Sequence, residues 1–258
     1  MATTGVNPSI KALEQAGFAS WPAAEVFDDG AWHIRLAPSL PYKRTNSINC
    51  LDQADGKNTE QRLASAISRF KTAGVKPTLR VTPLTPPELI KACSTDDWSR
   101  PYSESLVMTA PLQSEFNHGA FEGFDTPVPE WIANYKALTM NQDIDGAAIT
   151  NTLNAIEKPV HFFQIASPDQ CLGVAVAVVQ AKLVGLFGLA VAKPARRTGL
   201  GRALSHAALA WGADQGANTA WLQVETDNRP ARQLYQALGF TEHYRYAYRS
   251  FIGQFTYD

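Results

Sequence analysis

The stretch "LVGLFGLAVAKPARRTGLGRAL", residues 183–204, decides the fold. Its first nine residues are apolar, uncharged and β-rich, whereas Leu200 and Leu204 begin a helical spacing that Ala208 and Trp211 continue. Between the two lies a tight turn holding three arginines, a threonine and two spaced glycines. Amide N–H groups at a helix start lack an intrahelical acceptor and sit at the positive end of the helix dipole, so an anionic oxygen is their natural partner. Gly199 and Gly201 let backbone amides approach a pyrophosphate without a Cβ in the way. Thr198 adds a hydroxyl, and Arg196, Arg197 and Arg202 add charge. An ordinary strand-to-helix turn with solvated arginines uses the same residues, so the surroundings must decide.

Upstream, "VHFFQIA" (160–166) and "CLGVAVAVVQ" (171–180) precede "LVGLFGLAV", three β-rich stretches separated by short breaks, which predicts neighbouring hairpins. The second and third are apolar on both alternating faces, as expected of central strands covered by helices on both sides. Downstream, Gly212 and Gly216 mark where the helix could end. "TAWLQVET" (219–226) predicts a strand, and "NRPARQLYQALGF" (228–240) a helix with Pro230 in its first turn and Gly239 as its stop. Aromatic-rich strand material closes the chain.

The N-terminal half has a similar order. "AWHIRLA" (31–37) predicts a strand, then Leu63, Ile67 and Phe70 a helix that Asn58 could cap with Gln61. "TLRVTP" (78–83), "PPELIKACS" (86–94) and "ESLVMTA" (104–110) predict strand, short helix and strand. The same strand–helix–strand–helix–strand order runs from Leu183 to the end, which implies an internal structural repeat. The join is expected in "NHGAFEGFDTPVPEW" (117–131), with domains 1–120 and 121–258, and further helices near Trp131 and over 143–156. The polar segment "PSLPYKRTNSINCLDQADGKNTE" (38–60) offers no glycine turn like that of 195–204. The N-terminal half is therefore expected to buttress the other and supply part of an acceptor pocket. "YKRTN" (42–46) is either a solvated basic loop or a contact for an anionic acceptor.

The chain has 258 residues, 45% apolar and 18% charged, with a formal net charge of -1. It can fill a core, and it has no overall field to gather nucleic acid or an acidic membrane surface. Neither nucleic acid nor membrane is expected as partner. Cys50, Cys93 and Cys171 are dispersed, with no C-x-x-C pair, and no metal is expected. The N-terminus lacks a basic segment followed by an apolar one, and a cytoplasmic location is expected. A Walker A loop is excluded, because no lysine is followed by Ser or Thr in the turn. A dinucleotide fingerprint lacks its third glycine, position 204 being Leu204, although Glu225 lies at a loosely suitable distance.

Arg196-Arg197-Thr198-Gly199-Leu200-Gly201 resembles the [QR]-x-x-G-x-[GA] acyl-CoA loop of the GCN5-related N-acetyltransferase superfamily. It follows a strand, as in that family, and "VETDNRPARQLYQALGF" (224–240) resembles the family's second signature, N-x-x-A-x-x-L-Y-x-x-x-G-F. The resemblance covers about residues 130–258, and the N-terminal half is similar only to the degenerate half of tandem members. It implies an α/β (α+β) fold of two mixed-sheet halves with helices on both faces, the C-terminal half carrying the acyl-CoA site. It also implies acetyl-CoA as donor, a small-molecule or peptide amine as acceptor, and direct attack in a ternary complex. Backbone amides of 197–202 would hold the CoA pyrophosphate. Leu189, Ala190 and Val191 would pair with the pantetheine arm, and Asn228 would contact the cofactor. Tyr235 would protonate the CoA thiolate. Asn228, Ala231 and Tyr235 at i, i+3 and i+7 share one helix face along such an arm.

A base is harder to place. "LVGLFGLAV" contains no acid, which leaves Glu225 and His243 as candidates, each equally able to be structural. His33, His118, His161 and His206 show no ligand spacing. Two other classes remain open, a non-catalytic acyl-CoA-binding sensor and another enzyme of a phosphate-bearing ligand. The chain is expected to be a monomer or homodimer.

Overall fold

The computed structural model describes residues 7–112, 116, 121–139 and 144–253. The N-terminal half runs α1 (Ile10–Ser20), β1 (Glu25–Asp29), β2 (Trp32–Leu36), β3 (Ser47–Cys50), α2 (Thr59–Thr72), β4 (Thr78–Val81), α3 (Pro87–Ala92) and β5 (Tyr102–Pro111). The C-terminal half runs β6 (Glu122–Phe124), α4 (Pro129–Leu138), α5 (Gly146–Asn154), β7 (Val160–Ala166), β8 (Cys171–Gln180), β9 (Leu183–Val191), α6 (Leu200–Asp214), β10 (Thr219–Glu225), α7 (Arg229–Ala237) and β11 (Thr241–Ser250).

Among the described residues these strands form one sheet, in the order β1-β2-β3-β4-β11-β5-β10-β9-β8-β7-β6. Apart from β6 at the edge, the order reads the same from both ends once each strand is exchanged for its counterpart in the other half. The repeat expected from the sequence is therefore present in the topology. In each half an antiparallel β-meander leads to a strand that pairs in parallel with the one beyond a crossover helix: β3 with β4, and β9 with β10. The final strand of each half then leaves its own half. β5 lies antiparallel between β10 and β11, and β11 lies between β4 and β5. The expected boundary at 120/121 falls partly on residues outside those described.

Alternation along the strands sends side chains to two faces. Val174, Val176 and Val178 of β8 pack in a cluster with α1, α4 and α5, whereas Ala175, Ala177 and Val179 pack with α6 and the end of α7. On β2, Ile34 and Leu36 face α2 and α3, and Arg35 faces α1. Thus α1, α4 and α5 cover one face, and α2, α3, α6 and α7 the other.

Three local expectations need correction. The segment 38–60 is not one long loop: Ser47–Cys50 form β3, wholly buried between β2 and β4, and it is this strand, not β2, that feeds α2. Asn58 does precede α2, but it takes a left-handed backbone (φ 55°) and makes no side-chain cap bond, so no capping box with Gln61 forms. Gly212 does not end α6, which continues to Asp214; the helix stops before Gly216, φ +82°, the other glycine expected there. Gly212 is buried where a Cβ would come within 2.6 Å of Val184, so it sets how closely the helix lies on β9.

Helix α1 begins at Ser9, whose hydroxyl accepts from the Ala12 amide at 3.1 Å. Its Leu13 and Ala16 are buried against the sheet. Glu14, 2% exposed, takes a hydrogen bond from Arg80 Nη2 of β4 at 2.8 Å and another from the Tyr244 hydroxyl of β11. The helix is thereby tied at one point to a strand from each half.

Two outcomes are expected. A fragment 121–258 deprives β11 of both its neighbours and β10 of one. It should accumulate in the insoluble fraction or give unfolded circular-dichroism spectra; a soluble, cooperatively melting fragment would contradict the exchanged-strand topology. Glu14→Ala leaves Arg80 buried without its carboxylate and should destabilise the fold by about 3–5 kcal/mol in urea unfolding.

Candidate acyl-CoA site

β9 and β10 pair in parallel from Leu183↔Thr219 to Leu186↔Leu222 and then part. Beyond that point each is held by its outer neighbour. Ala190 and Val191 of β9 pair with Val174 and Gly173 of β8, while Gln223, Val224 and Glu225 of β10 pair with Val107, Leu106 and Ser105 of β5. The slot between them opens at the carboxyl ends of parallel strands, where α/β sheets generally receive ligands. No strand among the described residues pairs with its β9 edge, so backbone N–H and C=O groups there, apart from the Val191 carbonyl that Arg196 Nε engages, can bond an extended chain.

A bulge shapes that edge. The β8–β9 register slips between Val174 and Val176, which face Ala190 and Phe187, and Gly188 takes φ +59°. A Cβ at Gly188 would also come within 2.9 Å of the Tyr135 ring. Backbone conformation and close approach both require glycine at this place.

The turn after β9 ends at Gly199, the residue before α6, with φ +93°. The amides of Leu200, Gly201 and Arg202 follow in the first helical turn, where no intrahelical acceptor is available. Arg196, Arg197, Thr198 and Arg202 are exposed around them. Part of the polar set is used locally: the Thr198 hydroxyl donates to the Ala195 carbonyl at 2.7 Å, Arg196 Nε to the Val191 carbonyl at 3.1 Å, and Arg202 Nε to His206 at 3.4 Å. Thr198 can therefore offer an acceptor but not its proton. A Cβ at Gly201 would touch Leu234 of α7 and Leu189 and Val191 of β9, at 3.4 and 3.9 Å. The turn, the β9 edge and α7 thus converge.

Asn228 is the residue that caps α7, its Oδ1 accepting from the Ala231 amide at 3.2 Å, which leaves its side-chain NH2 toward solvent. Ala231 is half-buried. Tyr235 is 8% exposed and packs on Phe240 within the cluster that Leu189, Val191 and Ala231 border. Its hydroxyl makes no hydrogen bond to the described residues, and burial pushes it up to about 12. Glu225 is exposed at the end of β10, its carboxylate without a hydrogen-bonding or ionic partner among the described residues. His243 is half-buried at a bulge of β11, beside the Tyr244 ring.

The opposite face of the slot is walled by α1, an element the sequence reading did not find. Gly17 lies on Trp221 and Gln223 of β10, and Glu14, Arg35, Arg44 and Arg80 gather near Phe187. The detectable signal was Ser9 as a cap followed by Ile10, Leu13 and Ala16 at helical spacing. No helix among the described residues is long and apolar enough to cross a membrane, and no group of three or more His, Cys, Asp or Glu there could hold a metal ion.

Known structures share this fold along nearly the whole chain. A GCN5-related N-acetyltransferase from Kribbella flavida superposes with a TM-score of 0.71 over 96% of this chain and 98% of that one, at 12% identity. A tandem GNAT protein from the clavulanic acid biosynthesis pathway gives 0.64 over 92% and 86%, at 10% identity. The chain thus has the fold of these N-acetyltransferases, a tandem one included. It belongs to the family described as "Probable histone acetyltransferase Rv0428c C-terminal", whose match runs over residues 8–249. Among curated proteins, the [ribosomal protein bS18]-alanine N-acetyltransferase of Escherichia coli (strain K12) is 35% identical over 80 residues, 31% of this chain and 54% of that protein. The chain spans about half the length of the curated relatives it matches.

Gly188→Ala tests the bulge. The left-handed backbone alone costs about 1–2 kcal/mol with a Cβ present, and the Tyr135 contact adds to it. The urea midpoint should fall, and acetyl-CoA affinity by calorimetry should fall with it as the β9 edge shifts.

Proposed function

We propose that the protein transfers an acetyl group from acetyl-CoA to a primary amine of a small molecule or peptide, by direct attack in a ternary complex at the C-terminal slot. The observation that carries this reading is the parting of β9 from β10 in front of the α6 N-terminus. In it, the amides of residues 197–202 hold the pyrophosphate, with Arg196, Arg197 and Arg202 supplying charge. The free edge at Leu189, Ala190 and Val191 pairs with the pantetheine arm and orients the thioester carbonyl. Asn228 and Ala231 line the same path.

The amine nitrogen attacks the thioester carbon, the C–S bond breaks as the tetrahedral intermediate collapses, and the sulfur takes a proton. Tyr235 is the donor: its hydroxyl is unpaired among the described residues, and burial keeps it protonated at working pH. The nitrogen loses its proton to a base, for which Glu225 at the mouth of the slot is assigned, with His243 as the alternative. The N-terminal half supplies the acceptor wall and does not bind a second CoA. Where the active turn has arginines, the corresponding segment has Asp52 and Asp55. Asp55 is occupied by Arg62 at 3.0 Å and by the Ala31 amide at 2.7 Å, and a pyrophosphate would meet its charge.

The lack of an acid on β9 favours a second reading, a non-catalytic acyl-CoA sensor. Thiol release from acetyl-CoA across an amine panel separates the two: binding by calorimetry with no acetylated amine decides for the sensor. For the enzyme, Tyr235→Phe should lower kcat by about 100-fold or more, the ordinary scale of a lost general acid, with CoA affinity little changed. Unchanged turnover removes Tyr235 from that role.

A further inference from the structure

A small cavity lies between α1 and the sheet, on the face opposite α6. Phe187 and Gln223, the first residues of β9 and β10 beyond their paired stretch, both line it, so it is continuous with the slot. The rest of its wall includes Glu14, Arg35, Arg44 and Arg80. Three guanidinium groups thus face one carboxylate, and that carboxylate is already engaged by Arg80 and Tyr244.

The other two cations form no ion pair with the described residues, although Arg35 also feels the Glu14 charge. Arg35 directs its Nη groups to the carbonyls of Arg44 and Trp21, both at 2.6 Å, and of Phe18 at 3.3 Å. Arg44 lies over the Trp21 ring at 5.5 Å and makes no hydrogen bond or ion pair through its side chain to the described residues. Arg35 and Arg80 are each 3% exposed, yet the Nε–H of each lacks an acceptor among the described residues. A buried donor without an acceptor, and buried like charges without a counterion, both cost free energy that a bound oxyanion would offset. Burial, with Arg80 alongside, pulls the Arg35 guanidinium down to about 10, as expected of a cation short of negative charge.

We infer that this cavity receives the carboxylate of the acceptor, so that the substrate is an amine bearing a carboxylate, an amino acid or an ω-amino acid. The inference rests on the acetyl-transfer reading of the same slot. The cavity has a volume of about 10 Å³, room for one water-sized atom, so it takes a single oxygen of the carboxylate, while the rest of the acceptor, with its amine, stays at the slot. The same positive surplus disfavours polycationic acceptors and favours the neutral, nucleophilic form of the incoming amine.

The test compares α-, β- and γ-amino acids with alkylamines of matching chain length, and O-phosphoethanolamine with ethanolamine, at saturating acetyl-CoA. At least one carboxylated amine should exceed its neutral counterpart in kcat/KM by about tenfold, the scale of one charge-assisted hydrogen bond. Arg44→Gln should bring that ratio toward one through KM, and Arg44→Lys should restore part of it; the Arg44 side chain makes no hydrogen bond to the described residues, and its carbonyl, which accepts from Arg35, is kept in both variants, so both should fold. Independently of turnover, sodium acetate should raise the Tm of the wild type above sodium chloride at equal ionic strength, and Arg44→Gln should lose that shift. Equal rates on carboxylated and neutral amines, an undiminished preference in Arg44→Gln, or faster acetylation of O-phosphoethanolamine than of every carboxylated amine each overturn the inference. If neutral amines are acetylated and acetate has no effect, the anion site falls and acetyl transfer stands. If nothing is acetylated while the acetate shift and its loss in Arg44→Gln are seen, acetyl transfer falls and the anion site stands.

Discussion

The exchange of the last strand of each half is the constraint on which the rest of the molecule depends. Because β5 fills the place between β10 and β11, and β11 the place between β4 and β5, neither half has a complete sheet of its own. The exchange also fixes the slot. β10 is held along its full length by β5, from Thr219↔Pro111 to Glu225↔Ser105, while β9 is held by β8 on its other side. Pulled outward by separate partners, the two parallel strands cannot close over their carboxyl ends. A sheet would ordinarily pair those backbone groups; here no strand among the described residues does so.

The two walls of the slot then come from different halves. On one face stand α6 and α7, with an exposed arginine turn and the buried Tyr235 hydroxyl. On the other stands α1, clamped through Glu14 to Arg80 and Tyr244. Both walls are positive but by different means: solvated side chains and helix amides on the α6 side, desolvated guanidinium groups on the α1 side. Solvated charge screens and adapts to a flexible diphosphate, whereas buried charge is selective for what fits and what neutralises it.

The legible parts of the sequence were those whose information is local. A strand, a glycine turn and an amphipathic helix lie within residues 183–211, and the motif at 224–240 lies one strand further on, so spacing was enough to find Tyr235 and the turn. The four residues of β3 carry the polar Ser47 and Asn49, which are buried because the Asn49 side-chain amide donates to the Ser47 carbonyl and hydroxyl and to the His33 carbonyl of β2. The strand's period-2 alternation, Ile48 and Cys50 against Ser47 and Asn49, spans only four residues inside a polar segment, too little to stand out along the chain. Glu14, Arg35 and Arg80 are separated by tens of residues and read singly as surface charges. Only the sheet order brings them together. Gly212 was read as a helix stop because a glycine's packing partner, Val184, is invisible along the chain.

The two halves also show how little separates a binding turn from a structural one. Both present a strand, a connection and a helix above a parallel strand pair. In the C-terminal half the connection places Gly199 at φ +93° before α6 and keeps its charges positive. In the N-terminal half Asn58 takes the left-handed place before α2, Glu60 sits in its first turn, and Asp55 joins Arg62 to the β1–β2 turn, with Asp29 on the same guanidinium at 2.9 Å. There, carboxylates of the protein itself surround the connection and hold Arg62 of the first helical turn. The scaffold is repeated, but its charge is reversed, and on the proposed reading it is this difference in charge, rather than any difference in topology, that gives acyl-CoA binding to one half.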